Sequence, residues 1–137
     1  MELLPMPSSP EIAAAVARIA LGALFLVHGV PKVRDLKGTM AFVKGTGFRG
    51  GAAFAALFAL LEFFGGIALV LGLLTQVVAV LFVLEMVATS IFSKVKLGKK
   101  FVLGYELDVL YLVLALAVAF LGPGPWSLDA VLKIVPP

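Results

Sequence analysis

Long apolar runs dominate this chain, and polar residues interrupt them at only a few places. A helix that crosses the hydrocarbon core of a bilayer needs about 20 mostly apolar residues. Four runs reach or approach that length, over residues 12–30, 52–74, 76–93 and 105–121. The pattern therefore predicts an all-α membrane protein, an antiparallel bundle of four transmembrane helices that forms one domain over residues 1–137.

The segments outside the four spans predict a helix start, a hairpin and two short helices. Ser9 followed by Pro10 has the order of an N-cap and a first helical residue, so the first helix should begin there. The second and third spans are almost contiguous, which predicts a tight helical hairpin. Short interfacial helices are predicted where apolar residues share a face, namely Leu36, Met40 and Val43, and later Leu128, Val131, Leu132 and Val135.

Composition and charge agree with a membrane location. The chain is 62% hydrophobic and 14% charged, whereas soluble domains are about half apolar and about a quarter charged. Nine of its eleven basic residues fall around the first and third connections: Lys32, Arg34, Lys37, Lys44, Arg49, Lys94, Lys96, Lys99 and Lys100. The positive-inside rule then predicts cytoplasmic connections and both termini outside. We interpret these clusters as topology signals that contact lipid headgroups, and no nucleic-acid partner is expected.

The residue inventory limits the chemistry that the chain can perform alone. It contains no cysteine and one histidine. The absence of cysteine excludes thiolate catalysis and Cys-ligated zinc or iron–sulfur clusters, and one histidine cannot form a bis-His haem site. A single histidine among carboxylates offers too few ligands for a metal, so no metal site is expected.

Two carboxylates and one guanidinium lie well inside the predicted spans, away from the span ends. Glu62 and Glu85 are each about ten residues into a span, which at about 1.5 Å per residue places them near mid-bilayer. A charge there costs about 2.5–3.5 kcal/mol and should find a partner inside the bundle. Arg18 shares a helical stripe with small residues, as Glu62 does. We therefore predict an Arg18–Glu62 contact, with Glu85 as the alternative partner, that serves either to fix helix register or to bind a ligand or proton.

A second polar group is predicted at the cytoplasmic ends of the first and fourth spans. It combines His28 and Lys32 with Tyr105, Glu106 and Asp108. Histidine titrates near neutral pH and can pass a proton, although capping and snorkelling of helix ends explain such residues equally well. The candidate catalytic residues are thus His28, Glu62 and Glu106. The candidate ligand-binding residues are Arg18, His28, Glu62, Glu85, Tyr105 and Glu106.

Three segments together resemble the DoxX family of small bacterial and archaeal membrane proteins: "RIALGALFLVHGVPKV", "LLEFFGGIALVLGLLTQVVAV" and "GYELDVLYLVLALAVAFLGPGPWSLD". The resemblance implies a four-helix bundle in a prokaryotic plasma membrane. It also implies a relationship to the membrane subunit of thiosulfate:quinone oxidoreductase. The positions that match the family are Arg18, His28, Gly29, Lys32, Glu62, Gly65, Gly66, Glu106 and Asp129.

Three functions remain open at this stage. The first is a quinone-interacting oxidoreductase subunit that lacks its own redox centre and therefore depends on a redox partner protein or soluble cofactor. The second is a non-catalytic subunit or assembly factor of a larger membrane complex. The third is a small transporter, which would have to be a homo-oligomer because four helices leave little room for a pathway. A membrane quinone is the candidate cofactor, and the lipid bilayer is the expected surrounding.

Overall fold

The computed structural model describes residues 8–134 as a bundle of helices. Its elements are α1 (Pro10–Arg34), α2 (Leu36–Gly45), α3 (Gly51–Leu71), α4 (Thr75–Val95), α5 (Glu106–Leu121) and the single-turn α6 (Leu128–Val131). A wide, irregular turn, Phe101–Tyr105, leads directly into α5. α1 packs along α3, α4 packs along α5, and contacts between α1 and α5 and between α3 and α4 close the bundle.

Four segments are long and apolar enough to cross a membrane: Pro10–Arg34, Gly51–Leu71, Thr75–Val95 and Phe101–Leu121. Their outward faces carry large apolar side chains, and Phe120, for example, is 87% exposed. In water such a surface would be unfavourable, whereas lipid tails solvate it. The predicted fold class, an all-α multi-pass membrane bundle, is confirmed.

The first helix begins where the sequence predicts and ends later. The Ser9 hydroxyl accepts a hydrogen bond from the Ile12 amide at 3.2 Å, so Ser9 is the N-cap. The helix then runs through Pro31 to Arg34. A proline removes one backbone donor and crowds the preceding turn, but a membrane helix tolerates this when its neighbours hold it in place. Lys32 consequently lies on α1 and not in the connection, where the sequence analysis placed it.

Small residues bring α1 and α3 into backbone contact. A Cβ atom at Gly22 would lie 2.7 Å from the Gly66 carbonyl oxygen, and one at Gly29 would lie 2.7 Å from the Phe63 amide nitrogen. Real Cβ contacts are never that short, so the two helices approach this closely only with glycine at the interface. The resulting antiparallel register sets Gly29 beside Glu62.

The predicted hairpin between the second and third spans is present. Gly72 ends α3 with a φ of 71°, and the Leu73 amide donates to the Ala68 carbonyl oxygen at 2.8 Å, as in a Schellman motif. The buried core of the bundle contains Phe25 of α1 and Phe82 of α4, whose rings stack with centroids 3.7 Å apart.

The two predicted short helices are also observed, in different settings. α2 lies against α3 and has no fully buried residue. In α6 the Ser127 hydroxyl caps the helix by accepting from the Ala130 amide, but Asp129 points inward and is 1% exposed. α6 is therefore anchored in the bundle and not simply laid on its surface. Val135, the last residue of the predicted apolar face, lies outside the described residues.

The bundle has two chemically different ends. The turn end holds Gly72 and α6, and the start of α1 lies there too, because a Cβ at Gly124 would be 3.3 Å from that of Ala14. The opposite, basic end holds α2, residues 46–50 and residues 96–105. Both ends of the described chain thus lie on the side away from the basic connections, which is the arrangement that four spanning helices require.

Candidate functional site at the basic end of the bundle

Arg18 binds backbone carbonyls at the turn end of the bundle. Its side chain is 1% exposed, and its guanidinium donates four hydrogen bonds. The acceptors are the carbonyl oxygens of Leu69 at 2.7 Å, Val70 at 2.8 Å, Trp126 at 2.8 Å and Pro123 at 3.2 Å. Two of these belong to the last turn of α3, where carbonyls have no amide in a following helical turn and the helix dipole favours a cation. Arg18 therefore joins α1, α3 and the segment before α6.

The predicted contact between Arg18 and Glu62 is wrong. Both residues lie on the predicted small-residue stripes, but the antiparallel register sets Arg18 level with Leu69. Glu62 is seven residues earlier on α3, or about 10 Å along the helix axis. Helical periodicity identifies the face on which a residue lies, whereas the offset between two helices depends on their packing.

Asp129 also serves the turn end. Its two carboxylate oxygens accept from the amides of Leu74 at 2.7 Å and Thr75 at 2.8 Å. These amides open α4, whose Leu74 has a φ of 51° and gives no side-chain cap of its own. A carboxylate at a helix N-terminus satisfies free amide donors and interacts favourably with the helix dipole. Asp129 is therefore a structural cap supplied from the C-terminal segment.

Lys32 is the partner of Glu62. The Lys32 ammonium lies 2.7 Å from Glu62 Oε1, and the two side chains are 40% and 4% exposed. Because α1 continues past Pro31, Lys32 falls one turn beyond Gly29 and reaches the carboxylate from the basic end. Sequence analysis had assigned Lys32 to a polar group at the helix ends. The ion pair connects that group with the mid-membrane carboxylates.

Glu85 adds a second carboxyl group at the same place. It lies beside Glu62 on the facing helix α4 and is 1% exposed. Neither of its oxygens has a hydrogen-bond partner among residues 8–134, and Glu62 Oε2 likewise has none. Most buried polar atoms in native proteins are paired, so three unpaired carboxyl oxygens in one spot call for a functional explanation.

Both carboxyl groups line a cavity of about 380 Å³. That volume lies in the range of about 300–1,000 Å³ that is typical of small-molecule sites. Its wall is mostly apolar and includes six phenylalanines from α1 to α4 and the connection before α3: Phe25, Phe42, Phe48, Phe54, Phe58 and Phe92. The cavity therefore runs from the middle of the bundle towards α2 at the basic end.

Further polar groups of the cavity wall come from α1, α4 and α5. His28 Nε2 and the Tyr111 hydroxyl are 3.0 Å apart, and Ser93 donates to Asp108 Oδ2 at 3.0 Å. If the tyrosine donates to a neutral imidazole, Nδ1–H remains as a donor; if the imidazole donates, the tyrosine O–H remains. The pair thus keeps one free donor with either tautomer.

Tyr105 and Glu106 do not reach this cavity. Glu106 Oε1 accepts from the Leu103 amide at 2.8 Å, and the Tyr105 ring packs on Phe101 with centroids 5.2 Å apart. Both side chains hold the wide turn before α5, in which Leu103 has a φ of 57°. Because of this turn, α5 begins only at Glu106. The residues of α5 that face the cavity are Leu107, Asp108 and Tyr111.

The cavity thus brings together three of the six predicted ligand-binding residues, His28, Glu62 and Glu85, and it excludes Arg18, Tyr105 and Glu106. The sequence analysis did not select Tyr111 or Ser93. One signal could have found Tyr111, because it lies inside the fourth apolar span, whereas Tyr105 is at its first residue, and because it follows Asp108 by three residues. On a helix that spacing puts both side chains on one face.

Among residues 8–134 no three His, Asp or Glu side chains converge as a metal site would require. The polar groups of the cavity therefore offer hydrogen bonds, charge and exchangeable protons. With an aromatic wall around them, they can hold the polar head of an apolar ring compound.

Comparison with known proteins agrees with this architecture. The family model described as DoxX matches residues 13–94, which cover α1 to α4 and carry His28, Lys32, Glu62 and Glu85. A protein of Bacillus subtilis (strain 168) named "Putative oxidoreductase CatD" is 33% identical over 124 residues, which are 90% of this chain and 90% of that protein. No solved structure matches the chain. The extent of both matches shows that this chain belongs to the DoxX family.

Proposed function

We propose that this protein is the quinone-binding membrane subunit of an oxidoreductase and that the cavity holds the quinone ring. One observation carries the proposal: an aromatic cavity of about 380 Å³ encloses two buried carboxyl groups, one ammonium and a His–Tyr pair. Quinone rings need flat apolar walls and a hydrogen-bond donor for a carbonyl oxygen, together with groups that exchange protons.

The chemistry of the cavity matches a proton-coupled reaction. A quinone takes up two electrons and two protons to become a quinol, and the reverse reaction releases them. The free donor of the His28–Tyr111 pair can bind one ring oxygen. Glu62 and Glu85 are the proton sites, because a single Lys32 ammonium balances only one of the two carboxylates and the other can bind a proton.

The electrons have to come from or go to another molecule. The chain has no cysteine, one histidine and no phosphate-binding loop for a nucleotide cofactor. A redox partner protein or a soluble electron carrier is therefore part of the proposal. The printed name of the Bacillus subtilis relative, an oxidoreductase, supports this class of reaction.

A quinone should stabilise the protein through this cavity. We expect a saturating short-chain quinone to raise the melting temperature of the detergent-solubilised protein by several degrees, because a ligand that binds only the folded state adds to its stability. His28→Ala should reduce this rise in melting temperature, because it removes one side chain that lines the cavity and leaves the Tyr111 hydroxyl without its partner. Glu106→Gln, outside the cavity, should retain it. An unmoved melting temperature in the wild type would favour the alternative of a non-catalytic membrane subunit.

We also propose that the basic end faces the cytoplasm of a prokaryotic cell and that both termini lie outside. The support is the set of nine basic residues at that end, in agreement with the positive-inside rule. A periplasm-active reporter fused to the C-terminus should be active, and so should a cytoplasm-active reporter inserted at Gly98, where the backbone borders open space. Activity of each reporter only in the opposite compartment would reverse the orientation.

A further inference from the structure

The carboxyl groups of the cavity offer acceptors that the neighbouring donors do not satisfy. Glu62 Oε2 and both oxygens of Glu85 are buried and have no hydrogen-bond partner in the part of the chain that the structure describes. No donor among the described residues reaches these three oxygens, because the Lys32 ammonium binds the other Glu62 oxygen, Oε1, and His28 and Tyr111 pair with each other. We infer that the cavity selects the reduced, diphenolic form of its ligand, the quinol, over the quinone. This inference rests on the proposed function and specifies which redox form the site holds.

The reason is that only the quinol brings donors. An O–H group of the quinol can donate to a carboxyl oxygen, and one ring oxygen can still accept the hydrogen bond from the His28–Tyr111 pair. A quinone has carbonyl acceptors alone, so it would leave the carboxyl oxygens buried and unpaired, which is unfavourable for charged acceptors above all. The aromatic wall packs on both forms equally, so the polar atoms decide between them.

A proton shared by the two carboxyl groups does not remove the imbalance. If Glu85 is protonated and donates to Glu62 Oε2, two of the three oxygens are satisfied. The remaining Glu85 oxygen is still a buried acceptor that faces the cavity. The preference for a donating ligand thus holds in either protonation state.

An aromatic ammonium ion is the other ligand class that brings donors to an acceptor-rich, aromatic site. It fits less well, because Lys32 already places a positive charge 2.7 Å from Glu62. A second cation would have to share the same carboxyl groups with that ammonium. A neutral donor meets no such repulsion, which is why we assign the cavity to the diphenol.

The test compares decylubiquinol, decylubiquinone and benzylammonium on the full-length protein in lipid nanodiscs under anaerobic conditions. We expect decylubiquinol to bind at least about tenfold more tightly than decylubiquinone, a difference of about 1.4 kcal/mol. Glu85→Gln should bring that ratio close to one, because the amide supplies donors in place of a second acceptor. Glu106→Gln, which changes a carboxyl group outside the cavity, should keep the wild-type ratio.

The outcomes separate this inference from the proposed function. Equal or tighter binding of the quinone would overturn the selection of the quinol and leave quinone binding intact. Binding of neither redox form would overturn both. If benzylammonium binds tightly and neither ubiquinone form does, the cavity is a site for a cationic ligand and the assignment to a diphenol is wrong. An unchanged ratio in Glu85→Gln, with that variant still folded by its melting profile, would remove Glu85 as the origin of the selection.

Discussion

Replacing Arg18 by methionine will lower the free energy of unfolding by about 3 kcal/mol or more. The guanidinium donates to four carbonyl oxygens that come from α3 and from the segment before α6. A hydrogen bond to a charged group contributes about 1.5–3 kcal/mol, and methionine replaces only the aliphatic part of the arginine side chain and has no donor. The loss should be visible as a large drop in stability during SDS-driven unfolding in mixed micelles.

A matched control is Arg49→Met, which removes an exposed guanidinium in the connection before α3. It should change the stability by less than about 0.5 kcal/mol, as surface substitutions usually do. Arg18→Lys should recover only part of the loss. The compact lysine ammonium lacks the planar, forked arrangement of donors with which the guanidinium reaches all four carbonyl oxygens. If Arg18→Met is no less stable than Arg49→Met, the four carbonyl contacts do not hold the turn end together.

Replacing Lys32 by methionine should destabilise the bundle by about 3 kcal/mol, because it leaves the Glu62 carboxylate buried without its cation. Loss of one partner from a buried ion pair typically costs about 3–5 kcal/mol, and the 40% exposure of Lys32 places this pair at the lower end. The double variant Lys32→Met, Glu62→Met should lose clearly less than the sum of the single variants. The same unfolding assay measures all three.

Lys37→Met supplies the control for this pair. Lys37 is an exposed lysine on α2, close to Lys32 in sequence but outside the cavity. Its replacement should leave stability nearly unchanged. If the losses in the free energy of unfolding from the Lys32 and Glu62 variants add up exactly in the double variant, the two side chains do not interact in the detergent-solubilised protein.

The membrane-crossing part of the fold was predictable because it depends on local composition. Each span is a continuous apolar run, and lipid requires the backbone to satisfy its own hydrogen bonds, so every run becomes a helix. Ser9 and Pro10 lie where the sequence predicts the start of the first helix, and Gly72 ends α3 two residues before the end of the predicted second span. The predicted spans and the observed helices consequently agree to within a few residues at most ends.

The polar contacts were only partly predictable, because they depend on how far one helix slides along another. Periodicity correctly put Arg18 and Glu62 on buried stripes, but it could not give the offset that separates them. Because α1 continues past Pro31, Lys32 lies on that helix and pairs with Glu62. The irregular turn before α5 moved Tyr105 and Glu106 away from the cavity, and Tyr111 took the place beside His28.

Local composition is enough to give a four-helix membrane bundle with charged groups inside its spans and with basic residues concentrated at one end. Those properties follow from side-chain transfer into lipid, which each residue experiences almost independently of its neighbours. Which of these charged groups meet depends on how the helices pack against one another. The close glycine contacts between α1 and α3 fix one register, and in that register Arg18 holds backbone carbonyls while Lys32, Glu62 and Glu85 converge on one aromatic cavity.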